Sequence, residues 1–207
     1  MRTNHARDGR RQGIVRLALV AGLLGGVAST TTRAAESGLG NFPYGAQTSY
    51  AAYMPQRGTT SFFGYALAYD IQAVRDDDGN RIPGAHGSVF ALAPRLVHTW
   101  NTQFFGWDLS TGGVIEGVTA EVAVPGAKDR ATGLTLTSLE PLYLSRSFGS
   151  LRLLAGPLFY FPLGPFDKTK LVNSTVNYRS ITFQTSATWT PTSNLEMSLN
   201  AAVEDKM

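Results

Sequence analysis

SFFGYALAYDIQAV, residues 61–74, has two faces of unlike chemistry: Phe63, Tyr65, Leu67, Tyr69, Ile71 and Ala73 fall on one side, and Gly64, Ala66, Ala68, Asp70 and Gln72 on the other. A period of two marks a β-strand, because successive Cβ atoms point to opposite sides of the pleat. Such a ribbon fits two architectures. In a soluble sandwich or lipocalin-like barrel the bulky row faces the core; in a membrane barrel it faces lipid, and the small and polar row faces the lumen.

The alternation recurs on the C-terminal side. Residues 86–100 set Phe90, Leu92, Leu96 and Trp100 against Ala91, Ala93, Arg95 and Thr99. In residues 104–123, Phe105, Trp107 and Leu109 oppose Asp108 and Ser110, and the bulky positions change phase after Gly112-Gly113, which predicts a bulge at the glycine pair. Strands are expected at 133–145 and 150–162, the second with Leu151, Leu153, Phe159 and Phe161 on one face. Two further strands alternate most cleanly. Over 178–190, Ile181, Phe183, Ala187 and Trp189 oppose Ser180, Thr182, Gln184, Ser186 and Thr188; over 194–203, Leu195, Met197, Leu199 and Ala201 oppose Glu196, Ser198 and Asn200.

Two features choose the orientation. The connections alternate in length: long at 75–85, 124–131 and 163–177, short at 101–103, 146–149 and 191–193. Outer-membrane barrels alternate short periplasmic turns with longer outer loops in this way. The polar rows are also runs of hydroxyls, amides and occasional carboxylates, which suit a wet interior. The expected fold is therefore all-β, an antiparallel up-and-down transmembrane barrel, with its bulky rows against outer-membrane lipid. Its lumen is expected to be lined by Asp70, Gln72, Arg95, Asp108, Glu116, Arg152, Gln184, Glu196 and Asn200. Inward charges tune the selectivity of such pores.

Strand number adds an expectation. Seven strands are evident, whereas bacterial single-chain barrels close with an even number. Either a weak segment at 47–53 is an eighth strand, or the barrel, which occupies 61–207, is incomplete at its C-terminus; the latter is expected, because the sequence stops at Met207 just after a strand.

The N-terminus reads as a signal peptide over residues 1–35. Arg2, Arg7, Arg10, Arg11 and Arg16 precede an apolar run from Leu17 to Ala28, with small residues after it. That run is too short for a spanning helix, which needs about 20 residues. The expected cleavage region is 29–35, and residues 36–60, rich in Gly and Pro, form an N-terminal arm. Of the 18 Lys and Arg and the 15 Asp and Glu, six and one lie in the signal, so the remainder carries a net charge of −2. A clustered basic surface for nucleic acid is thereby excluded. The absence of Cys rules out disulfides and thiolate metal sites. The run Asp76-Asp77-Asp78-Gly79-Asn80 departs from a calcium loop, with Arg81 and Gly87 where Gly and Glu are needed. No cofactor is expected.

Several motifs together resemble the meta-pathway phenol-degradation family of proteobacterial outer-membrane proteins. They are Ala52-Tyr53-Met54-Pro55 with Gly58, Tyr65 and Tyr69, the Asp78-Gly79 and Pro83-Gly84 loop, and Tyr160-Phe161-Pro162-Leu163-Gly164-Pro165-Phe166-Asp167 followed by Asn173 and Asn177. The resemblance spans most of residues 38–207. It implies a pore or uptake barrel for hydrophobic or aromatic compounds, without catalysis.

Two other classes stand beside this reading. One is a soluble periplasmic or structural binding barrel. The other is an outer-membrane acyl hydrolase, since His86-Gly87-Ser88 puts an imidazole and a hydroxyl on one strand face, although no third carboxylate is evidently placed to orient the histidine.

Overall fold

Among the described residues, sequence alternation translates into seven strands in one antiparallel sheet, ordered β1-β2-β3-β4-β5-β6-β7 and curled into a half-barrel. The strands are β1 (Thr59–Ile71), β2 (His86–Phe104), β3 (Trp107–Val124), β4 (Ala127–Phe148), β5 (Leu151–Pro162), β6 (Ser180–Thr192) and β7 (Leu195–Lys206). The computed structural model describes Asn41, residues 51–76 and residues 78–207. The expected signal, and most of the expected arm and of the weak strand at 47–53, lie outside the described residues. Residues 51–53 are a turn and irregular chain rather than strand. Among the described residues no helix is long and apolar enough to cross a membrane, which has no bearing on strands.

The connections differ from expectation at two places. The chain does not turn at 101–103: β2 continues to Phe104 and reverses at Phe105 and Gly106, both with positive φ (49° and 78°), the signature of a tight hairpin turn. The stretch 124–131 is not a long loop either. Pro125 and Gly126 alone join β3 to β4, Gly126 having φ 83°, and the charged residues Lys128, Asp129 and Arg130 belong to β4. Pro followed by Gly satisfies the two central positions of a type II turn, so the polar run after it is free to continue the ladder. One end of the sheet therefore carries only two-residue turns, at 105–106, 149–150 and 193–194. The other carries long connections at 72–85 and 163–179 around the projecting β3–β4 hairpin.

The bulge expected at the glycine pair lies on a different strand, and the bulky residues of β3 change face there, Val114 standing on the concave row opposite Arg95. β3 keeps one register with β2 from Ser110 to Ala123, so β3 itself is not bulged. Between the pairs Ser110↔Tyr143 and Gly112↔Glu140, β3 advances by two residues and β4 by three, which places the extra residue on β4 at Pro141-Leu142. Proline, lacking a donor, is found in sheets at such irregularities. A second extra residue on β4 lies between the pairs Ile115↔Thr137 and Gly117↔Leu134.

The two faces of the sheet are chemically unlike. On the convex face stand Phe90, Leu92 and Leu96 of β2, Leu134 and Leu139 of β4, Phe183 and Trp189 of β6, and Met197 and Leu199 of β7, with Leu96 56% and Met197 57% exposed. The concave face holds the buried residues, among them Arg95, Glu140, Tyr143 and the even-numbered row Ser180, Thr182, Gln184, Ser186 and Thr188. The expected faces of β2, β5, β6 and β7 are those observed.

β1 is turned the other way. Phe63 pairs with Arg95, Tyr65 with Ala93 and Leu67 with Ala91, and residues directly opposite in an antiparallel ladder share a face. Its bulky row is thus concave, and Gly64, Ala66, Ala68 and Asp70 are convex beside Pro94, Leu92, Phe90 and Ser88. Size complementarity explains the choice: the small concave residues Ala91 and Ala93 leave room that Leu67 and Tyr65 fill, while the small residues of β1 accommodate the large convex ones of β2.

The chain has no native cysteine, so this register is directly testable. The double variant Ala66→Cys/Leu92→Cys, at paired convex positions, should cross-link on mild oxidation and shift on a non-reducing gel, whereas Ala66→Cys/Ala91→Cys should not. The reverse pattern would restore the opposite face for β1.

Candidate functional site

The concave face collects polar groups where bulk water is displaced. At its centre Arg95 of β2 meets Glu140 of β4 across the intervening strand β3. Arg95 Nε donates to Glu140 Oε1 (3.0 Å) and Oε2 (3.1 Å), and Nη2 donates to Oε2 at 2.8 Å. Both residues are buried, Glu140 to 2% exposure. The reach across β3 is possible because Gly112 lies beneath the carboxylate: a Cβ there would stand 2.7 Å from Glu140 Oε2. The guanidinium also lies 5.9 Å from the Phe63 ring centroid and 6.0 Å from that of Tyr143.

A second chain of bonds continues towards β7. The Tyr143 hydroxyl donates to Gln184 Oε1 (3.1 Å), Gln184 Nε2 donates to Ser186 Oγ (3.0 Å), and Ser186 Oγ donates to Asn200 Oδ1. Gly156 makes room for the Tyr143 ring, since a Cβ on it would meet Cδ1 at 2.7 Å. Nearer the two-residue turns, Thr188 bonds Ser198 at 2.7 Å, Ser198 donates to Glu196, and Thr99 bonds Ser110 at 2.8 Å.

The segment before β1 lies against this face. Ala51 N–H donates to Ser198 Oγ (3.4 Å) and Ala52 N–H to Thr188 Oγ1 (3.1 Å), while Asn41 bonds the Glu204 carboxylate and Ser180. Ala52 packs into an apolar cluster with Leu136, Tyr143, Leu154, Leu158 and Tyr160, to which Met54 and Val176 add. Arg57 then reaches Asp108 at 3.5 Å, and Gly58 N–H bonds Thr99 O as the chain enters β1. The interior of the half-barrel is thus partly filled by its own N-terminal segment.

At the opposite end, the connection 163–179 is a built structure. Asp167 N–H donates to Asn173 Oδ1 (2.9 Å) and Asn173 Nδ2 returns a bond to Asp167 O (3.0 Å). Asp167 Oδ1 accepts from the Thr169 N–H and hydroxyl. The loop docks on β4 through Leu163 N–H and the Thr175 hydroxyl, both on Thr135 O, and through Leu171 N–H on Asp129 Oδ2.

Of the expected lumen residues, Arg95, Asp108, Glu116, Arg152, Gln184, Glu196 and Asn200 stand on concave rows. Asp70 does not: it is exposed on the convex face, opposite Ser88. Gln72 lies past the end of β1 in the connection, where its carbonyl accepts from Arg81 Nη2. Both corrections follow from the face of β1. Glu140 and Tyr143 were not among the expected residues, because the extra residue at Pro141-Leu142 breaks the alternation between them. His86 Nδ1 sits 3.1 Å from Gly84 O rather than on Ser88, and both residues are exposed. Among the described residues no group of His, Cys, Asp and Glu is arranged to hold a metal.

Removing one partner of a buried ion pair strands the other charge, at a cost of about 3–5 kcal/mol. Glu140→Gln should therefore lower unfolding stability by an amount of that order. Gly112→Val should act in the same direction by displacing the carboxylate, and Arg95→Leu/Glu140→Leu should cost less than the sum of its single replacements, as read by urea titration.

The Asp167 carboxyl is held below its ordinary value, chiefly by the Thr169 hydroxyl, then by the Thr169 N–H and by Lys170. A depressed folded-state value means that its contribution is present above the ordinary aspartate range and is lost as pH falls through the folded value. The protection of amides in residues 163–179 relative to their intrinsic exchange rates should fall on acidification below that range, and Asp167→Asn should weaken that pH dependence; an unchanged acid profile in the variant would refute the assignment.

No curated protein and no solved structure matches the chain. Residues 71–205, from the last residue of β1 to Asp205 near the end of β7, match a family model. With β2 to β6, nearly all of β7, the docked 163–179 connection and the Arg95–Glu140 pair inside that match, the chain belongs to the family described as "Putative MetA-pathway of phenol degradation".

Proposed function

We propose that the chain is an outer-membrane β-barrel protein that takes up hydrophobic or aromatic compounds along its concave face in support of phenol degradation. The observation that carries this reading is the inversion of the sheet: large apolar side chains stand exposed on the convex face while hydroxyls, amides and an ion pair are buried on the concave one. Water-soluble domains rarely expose contiguous apolar patches beyond a few hundred Å², whereas lipid-facing strands require them.

The dimensions agree. From Phe90 to Trp100 the convex side of β2 advances ten residues. At a rise of ~3.4 Å and a tilt of ~40° this is a band ~25 Å tall, the height of the apolar girdle of an outer-membrane barrel. At the long-connection end the band gives way to Asp70, Ser88, Glu121 and Arg130, which lie in one line of cross-strand partners. Lys128 pairs with Glu121 at 2.8 Å on the same rim. Solute passage along the concave face requires the segment at 51–57 to shift, since it occupies part of that space.

Charge placed in the girdle should be severe, about 2–4 kcal/mol at the bilayer midplane. Leu96→Arg and Met197→Arg should abolish assembly into the outer membrane, and Ala202→Lys, on the concave row, should be tolerated. Fractionation and heat-modifiable migration on unboiled gels read the result. A freely soluble periplasmic monomer, unharmed by Leu96→Arg, would sink the proposal in favour of a soluble binding barrel.

A further inference from the structure

At the two-residue-turn end of the concave face the 52–57 segment and the ends of β3, β4 and β5 enclose a cavity of about 400 Å³. Its charges do not balance. Arg152, on the concave row of β5 opposite Ser147, has its guanidinium carbon 4.0 Å from the Tyr53 ring centroid, and among the described residues no carboxylate lies within ion-pair distance of it. Arg57 faces Asp108, but the same Asp108 oxygen accepts from Gln103 Nε2 at 2.7 Å, closer than Arg57 Nε at 3.5 Å. Arg146 borders the cavity too, with its guanidinium engaged elsewhere, donating to Phe105 O and lying 4.9 Å from the Phe148 ring centroid. Three guanidinium groups therefore border the space with a single carboxylate, and of them Arg152 is the one whose N–H edge has neither an ion-pair nor a hydrogen-bond partner among the described residues.

We propose that this cavity binds a small organic carboxylate, a monoanion with an apolar body. A guanidinium lying on an aromatic face keeps its N–H edge free, and that edge matches the two oxygens of a carboxylate in plane. The Ser145 and Ser147 hydroxyls border the same space and supply further donors, Ser145 being buried. Ala52, Met54 and Pro55 form an apolar wall for the body of the ligand. The apolar wall beside the free guanidinium edge favours an anion with an apolar body over an inorganic one such as phosphate. The site would recognise the oxidised, acidic relatives of an aromatic compound rather than the neutral compound itself.

Equilibrium binding to the full chain in detergent micelles tests this without reference to transport, so a failure of the uptake reading and a failure of this site are distinguishable. Benzoate, its neutral isostere benzamide and inorganic phosphate serve as probes in calorimetric titrations at constant ionic strength. Benzoate should bind saturably, with benzamide and phosphate at least tenfold weaker. Arg152→Gln should weaken benzoate at least tenfold with an unchanged circular dichroism spectrum, and Asp108→Asn, which frees Arg57, should tighten it. Equal binding of benzoate and benzamide, phosphate as tight as benzoate, or indifference to Arg152→Gln would each overturn the assignment. If Arg152→Gln does not fold, Asp108→Asn decides: unchanged or weakened benzoate binding overturns the site.

Discussion

The Arg95–Glu140 ion pair is the contact on which the rest of the concave face depends. Its partners sit on strands that are not neighbours, so the bond ties β2 to β4 over the top of β3 and fixes how sharply the sheet bends between them. Such a bond needs an empty position beneath it, which Gly112 supplies. Fully buried charges are costly to desolvate, and three hydrogen bonds between the two groups offset that cost only while the geometry is held. The pair is therefore better understood as setting one curvature than as adding net stability. The Tyr143–Gln184–Ser186–Asn200 chain extends the same constraint to the far edge of the sheet.

Around that constraint the two faces of the sheet differ in chemistry. Convex side chains present a hydrocarbon surface with polar groups confined to its rim, and concave side chains satisfy one another or bond the 51–58 segment. The large exposed apolar side chains lie outside the curl, and the proposed membrane setting rests on that arrangement. In the wall we propose, backbone groups of the interior strands are paired in the ladder and side-chain polarity is turned inward.

Much of this was legible in sequence. Period-two patterning located all seven strands and the correct faces of β2, β5, β6 and β7, because strands such as 180–192 carry hydroxyls on one side and bulky groups on the other without interruption. β1 misleads because both its rows are tolerable on either face: alanines and glycine tell little about which solvent they meet, and the decision rests on the sizes of Ala91, Ala93, Leu92 and Phe90 on the neighbouring strand, a pairwise property that one strand's pattern does not contain. Val124-Pro125-Gly126-Ala127 reads equally as loop or tight turn until the strand beyond it is known to have a partner. Glu140 and Tyr143 fall on one face only because of the extra residue between them, and Arg57 joins Asp108 through a segment with no periodicity at all.

The way the N-terminal segment is held has a consequence for how freely its sequence can vary. Ala51 and Ala52 engage the wall through main-chain N–H groups, and the wall answers with side-chain hydroxyls of Ser198 and Thr188. Any residue but proline carries the same donor, so the recognition is indifferent to identity and sensitive only to bulk at position 52, where almost no surface is exposed. Neutral bonds of this kind contribute about 1 kcal/mol each, far less than the ladder on which the segment rests. Positions 51 and 52 can therefore vary within that limit of size, whereas Tyr53, Met54 and Arg57 engage the wall through their side chains and are not interchangeable in the same way.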